Sequence, residues 1–362
     1  MLIPADDLPL HQTALPLAHT ASGDLNHYDR YFFNGYTRDG SVYFGAAMGL
    51  YPNRQVIDAA FSVVRGGEQV SVHASGRLPL DRRTTVAPIS VRIDEPMVAL
   101  TVVVAPGEHG VAAELTFRAR TAPVEEPRFT LQREGRLAFD YTRYTQWGGW
   151  EGWIELDGER IEVRPDEVLG SRDRSWGTRP VGERPAGAPG GLPQFFWLWA
   201  PVNFDDLCTH FDVNELPDGR RWHETALTVP VGGGEADLLR TSEWRIDWEP
   251  GTRRMRHAEI DLVPWSGPTR TVVLEPISHF QMVGLGYLHP SRNHGSWHGD
   301  HSVLVERWPV PVPDPTALHH LHVQTLCRAT FDGRQGIGIL EQLAIGPHAP
   351  SGLTGLLDGA RA

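Results

Sequence analysis

A histidine and an aspartate two residues apart open the chemical reading. They lie in Asp205-Asp206-Leu207-Cys208-Thr209-His210-Phe211-Asp212, a run that alternates like a β-strand. Cys208, His210 and Asp212 then share one face, with His210 and Asp212 about 6–7 Å apart at a rise of about 3.3 Å per residue. The preceding Gln194-Phe195-Phe196-Trp197-Leu198-Trp199 adds Trp197 and Trp199 as an aromatic wall. A carboxyl kept in such a wall has its pKa raised, which suits a general acid at neutral pH. The bland account is the polar outer face of an ordinary strand.

A second constellation is Gly170-Ser171-Arg172-Asp173-Arg174-Ser175-Trp176-Gly177-Thr178-Arg179. Alternation puts Arg172, Arg174 and Trp176 on one face and Asp173 on the other. If the first face lines a cavity, Trp176 offers a π surface to a cation. Arg174 beside it could hold a polar head group or carboxylate through paired hydrogen bonds. A surface ion-pair ladder capped by a packed Trp would read the same way. The third is histidine-rich, from Tyr287 through His294, Trp297, His298, Asp300 and His301. Gly295, Gly299 and Pro290 make it a loop, not a helix presenting an i, i+4 metal pair, so turn and hydrogen-bonding histidines are expected and no metal.

Stepping outward, the elements around these residues are strands. Gly 38 and Pro 29 are too many for long helices, and the apolar period is mostly two. Asp157-Gly158 predicts a two-residue hairpin with Ile154, Leu156, Ile161 and Val163 on one face; Asp218-Gly219 and Asp332-Gly333 repeat the device. Helix signal is confined to Leu353–Leu357. All 12 Trp lie between Trp147 and Trp308, whereas seven of eight Tyr precede them, which suggests two β domains with different cores. The boundary is expected near Arg164, giving domains 1–164 and 165–362, with a long loop over 180–193.

Composition excludes several classes. The 33 basic residues are all Arg and are outnumbered by 45 acids, for a net charge of −12. This argues against a nucleic-acid surface, and the absence of Lys removes Schiff-base chemistry. No Walker, dinucleotide, GxSxG or HExxH pattern occurs, so no cofactor is expected. Two distant cysteines, Cys208 and Cys327, read as buried thiols of a cytoplasmic protein. No run reaches 18 apolar residues, and the N-terminus does not read as a signal peptide.

The Asp-X-Ser-Trp-Gly motif within Gly170–Arg179 resembles that of the lipocalin-like carotenoid hydratases (hydroxyneurosporene synthases) and their bacterial relatives. Tyr31–Tyr36, Gly49–Asn53, Gly286–Pro290, His294–Gly299 and Gly336–Gln342 are similar to other stretches of that superfamily. The resemblance implies an all-β fold of two lipocalin-like antiparallel barrel or sandwich domains with an apolar cavity at their junction. It also implies a lyase: an acid protonates a double bond and an aromatic neighbour steadies the cation. Carried over, the acid is Asp212, with Asp205 or Asp206 as alternatives, His210 replaces a Tyr, and the motif tryptophan is Trp176. Arg174 stands where relatives carry His, and a guanidinium cannot shuttle a proton at neutral pH.

The expected function is therefore a hydratase, isomerase or cyclase acting on an isoprenoid- or polyketide-like substrate. Asp212, His210, Trp176 and Arg174 would be catalytic, and Asp173, Trp197, Trp199, Tyr287, His294, Trp297 and His298 would contact substrate. A hydrophobic-ligand-binding protein, or a pericyclic cyclase without acid–base chemistry, is the competing expectation.

Overall fold

The hairpin turns follow from their residue types. Asp157 and Gly158 both adopt positive φ, 51° and 82°, and Leu156 pairs with Glu159 across them. Asp332 and Gly333 do the same between Phe331 and Arg334. At Asp218-Gly219 only the glycine is left-handed, and the strands rejoin at Glu215 and Arg221. The structure is a computed structural model that describes residues 2–183 and 193–361; of the stretch 180–193, residues 184–192 lie outside it.

The described residues form two curled, wholly antiparallel sheets with no α-helix. The spine of the first runs, in spatial order, Ser302–Pro309, Glu68–Arg77, Val56–Arg65, Val42–Tyr51, His27–Thr37, Val168–Thr178, Arg136–Leu156 and Val111–Ala119, then three shorter strands. The second runs Asp237–Leu238, Arg221–Pro230, Leu207–Glu215, Phe195–Asn203, Arg334–Ile345, Val323–Phe331, Arg270–Gln281, Met255–Val263 and Thr241–Trp248. Residue 164 does not divide them. After the short arm Glu159–Val163, the chain returns as Val168–Thr178 between two strands of the first sheet, and Ser302–Pro309 later adds its edge strand. Nor is Leu353–Leu357 a helix. Pro350, Gly352 and Gly355 leave too short a run to nucleate one, and Leu353 is buried in the second core.

Each sheet curls around its own core, with Phe33, Phe44, Phe117 and Trp150 in the first and Phe196, Phe211, Leu274 and Phe331 in the second. A third cluster joins the sheets back to back and includes Phe32, Tyr36, Tyr43, Trp199, Phe280, Leu326 and Ile339. Strand His27–Thr37 thus buries both faces: Tyr31 and Phe33 face the first core, while Phe32 and Tyr36 face the junction. Gly35, Gly170 and Gly148 lie side by side across three strands. Without side chains there, the rings of Phe44, Phe117 and Trp150 lie across the row, and the Trp150 indole donates to the Asn34 carbonyl at 2.8 Å.

Candidate active site

The register of Val168–Thr178 decides which residues meet at the junction. Arg172 and Arg174 pair beside Gln146 and Tyr144 and point into the first sheet's concave side. There Arg172 donates to the Gln146 amide oxygen at 2.9 Å, and Arg174 pairs with Asp29 and lies 4.1 Å over Tyr31. Burial pushes the Arg174 guanidinium down to about 10. Trp176, at 42% exposure, touches Tyr144 at the surface. The opposite face, Asp173 and Ser175, looks into a cavity of about 310 Å³ between the sheets, at the low end of the usual range for small-molecule sites of about 300–1,000 Å³.

Phe139, Tyr141, Phe195, Trp197, Tyr287, Leu343 and Ile345 give the cavity its aromatic and aliphatic walls, and Arg143, Asp173, Arg179, Asn214, His294 and His322 its polar points. No hydrogen bond from a described residue ends on the Asp173 carboxyl. Its removal from bulk water pushes it up to about 6, against the opposing pull of Arg143 and Arg179. It is half-buried, and the surface it shows lines the cavity. A carboxyl of this kind is poised to give up a proton near neutrality.

Asp212 has the opposite environment. It is fully buried and does not line the cavity; the Arg143 guanidinium binds one oxygen, His223 Nε2 lies 3.1 Å from it, and the Trp197 indole donates to the other at 2.6 Å. Burial would raise it, but Arg143 and His223 hold it well below the usual carboxylate range. An anion so well solvated by donors is a poor acid, so the general-acid role expected of Asp212 does not fit its surroundings. The same guanidinium binds Glu126 at 2.5 Å, whose carboxyl burial pushes up to about 8. His210 sits between Trp147 and Trp199, with neither ring nitrogen hydrogen-bonded and the ring pushed down by burial to about 3. It is a neutral core residue.

Of the other expected contacts, Trp197, Tyr287 and His294 reach the cavity with Asp173. Trp199 is buried behind it against Phe32. Trp297 is 45% exposed beneath Arg77, and His298 lines a separate small void with His73. Asp205 and Asp206 are exposed partners of Arg38 and Arg334. Sequence reasoning missed Arg179, Tyr141, Arg143 and His322. Arg179 has the same parity as Asp173 and Ser175, so choosing the other face of that strand would have found it.

Among the described residues, two groups of His and acidic side chains come close enough to share an ion, His73–His289–Glu306 and Glu126–Asp212–His223. In the first, His289 Nδ1 accepts the backbone N–H groups of Ser291 and Arg292, so Nε2 carries the proton and donates to Glu306 at 2.5 Å. In the second, Arg143 already supplies the positive charge. Neither donor set fits a cation.

A family model described as a family of unknown function, DUF8625, matches residues 2–354. The chain belongs to that family. No curated protein matches this DUF8625 member significantly. Among solved structures it is similar to a Nitrosomonas europaea protein assigned provisionally as AttH, with 14% identity, a TM-score of 0.55, and 93% of this chain and 98% of that one covered. It is also similar to kievitone hydratase from Nectria haematococca, with 13% identity, a TM-score of 0.53, and 95% and 96% covered. The DUF8625 chain therefore shares the fold of these structures, two lipocalin-like antiparallel β domains.

Proposed function

We propose that this protein is a lyase-type enzyme (hydratase, isomerase or cyclase) that protonates a carbon–carbon double bond of a largely apolar, isoprenoid-like substrate in the junction cavity. Asp173 is the acid in this reading. Its O–H bond breaks, the alkene π electrons form the new C–H bond, and a carbocation remains beside the Asp173 carboxylate. Trp197, Tyr141, Tyr287 and Phe139 present π faces to that cation. Water adding to it, with its proton returned to Asp173, gives hydration. Proton loss to Asp173 gives an isomer; attack by a second double bond closes a ring and moves the positive charge onto it, and loss of a proton from that ring cation to Asp173 gives the cyclic product and restores the acid. The observation that carries the reading is the Asp173 carboxyl, free of hydrogen bonds from described residues and facing an aromatic cavity. The likeness in fold to a hydratase supports it.

The test is turnover of a panel of unsaturated terpenoids in heavy water, read by product mass. Deuterium on carbon that disappears in Asp173→Asn, with a cooperative and undiminished melt, is expected. Full deuterium incorporation in that variant would overturn the assignment. Product without deuterium would instead favour pericyclic cyclisation by the aromatic walls alone.

A further inference from the structure

We infer that the substrate carries a carboxylate, or an equivalent oxyanion, and that Arg179 receives it. The inference rests on reading the junction cavity as the substrate site and adds the chemical class of what binds there.

Arg179 lines the cavity, and its guanidinium is held 4.6 Å over the Tyr28 ring and 6.0 Å from Tyr287. Among the described residues it forms no ion pair, and its buried Nη2 has no acceptor. Two neighbouring arginines differ in having anionic partners, although the buried Nε of Arg30 also lacks an acceptor among the described residues. Arg143 is paired with Glu126 and Asp212 through Nε and Nη2. Arg30 donates to Tyr51 and to His294 and has Asp58 at 3.9 Å. Residues 184–192, which read RPAGAPGGL, include no Asp or Glu that could serve as a counter-ion. Removing a guanidinium from water without an acceptor is costly, and such donors are kept where a ligand completes them.

A second donor lies on the same wall. Arg30 donates to His294 Nδ1 at 2.9 Å, so the neutral ring carries its proton on Nε2, and that buried atom also lacks an acceptor among the described residues. Burial and the nearby Arg30 and Arg179 keep His294 well below its ordinary pKa, hence neutral. The Tyr287 ring touches His294 at 4.3 Å and His322 at 4.7 Å, and lies 4.9 Å from the Arg30 guanidinium and 6.0 Å from that of Arg179. A planar guanidinium with an imidazole N–H nearby suits a carboxylate, while the apolar walls take the chain attached to it. Arg174, the anchor expected from sequence, is already matched by Asp29.

The experiment compares farnesoic acid with methyl farnesoate, titrated into the full-length protein and followed by tryptophan fluorescence and calorimetry at pH 7.5. The acid should bind roughly tenfold or more tighter, as expected for one charge-assisted hydrogen-bonded pair. Arg179→Met should abolish that preference without weakening the ester, and Arg179→Lys should restore part of it. Asp173→Asn should keep the preference while losing turnover, which separates this inference from the assignment of the acid. Equal affinities in the wild type, no measurable binding of the acid, or a preference surviving in Arg179→Met would overturn it.

Discussion

Asp173 and Asp212 are both withdrawn from water, and their neighbours send them in opposite directions. Burial leaves Asp173 near 6 because Arg143 and Arg179 act on it only at a distance, with Arg30 adding to their pull and Glu341 opposing it. Turnover should therefore fall as pH rises through about 6, approaching tenfold per unit, measured as kcat/KM against pH. Stability follows the same sign. A carboxyl raised from 3.8 to about 6 by folding stabilises the fold most fully below pH 3.8, and that contribution is lost as pH rises through 6. Asp173→Asn should remove the slope, so the variant should be the more stable protein at pH 8, by on the order of 2 kcal/mol in denaturant melts. At Arg143 the change runs the other way. Arg143→Met strands the Asp212 carboxylate without its cation and should cost about 3–5 kcal/mol at neutral pH, with the loss shrinking as acid neutralises that carboxyl. Asp212→Asn should cost less, because Glu126 can ionise in its place.

Among the elements, the three central strands of the first sheet depend on the glycine row. A Cβ at Gly170 would collide with the Asn34 carbonyl and come within 2.7 Å of the Trp150 indole nitrogen, both fixed by their own hydrogen bond. Gly170→Ala should lower stability by about 1–3 kcal/mol although its φ is ordinary, read from the denaturant midpoint; an unchanged midpoint would mean that the strands separate easily. Strands and turns were legible at this scale because alternation and Asp-Gly pairs act locally. Which face of Val168–Thr178 meets the cavity was not. Alternation separates Asp173 from Arg174 without saying which side is the cavity, and both sides of this strand are covered. Polar richness drew attention to Arg172 and Arg174, yet those groups are already matched, and the side chain left unmatched is Asp173. Trp197, Tyr287 and His294, which line the cavity, drew notice because aromatic and imidazole groups clustered in the sequence. Arg143 and Tyr141 gave no such cue inside a 21-residue strand.

Across the whole molecule, the sheets share the Phe32–Trp199–Phe280 cluster, and the first is completed by Ser302–Pro309 from beyond most of the second. Heat should therefore unfold the protein in one calorimetric transition, and a fragment ending at residue 183 should fail to give a cooperative melt. Two separated transitions would show that the sheets are independent. Division at residue 164 was inferred from where Trp replaces Tyr, a local change of composition. Sheet membership depends on a strand more than 120 residues further on, which composition does not register. The same late edge strand sets a clock on synthesis. Until Ser302–Pro309 emerges from the ribosome, the flank of Glu68–Arg77 is an open row of backbone donors and acceptors, the kind of edge that recruits other strands. With about 230 residues still to be made between Arg77 and Pro309, at about 5–20 per second, that edge stays open for on the order of 10–50 s in every nascent chain.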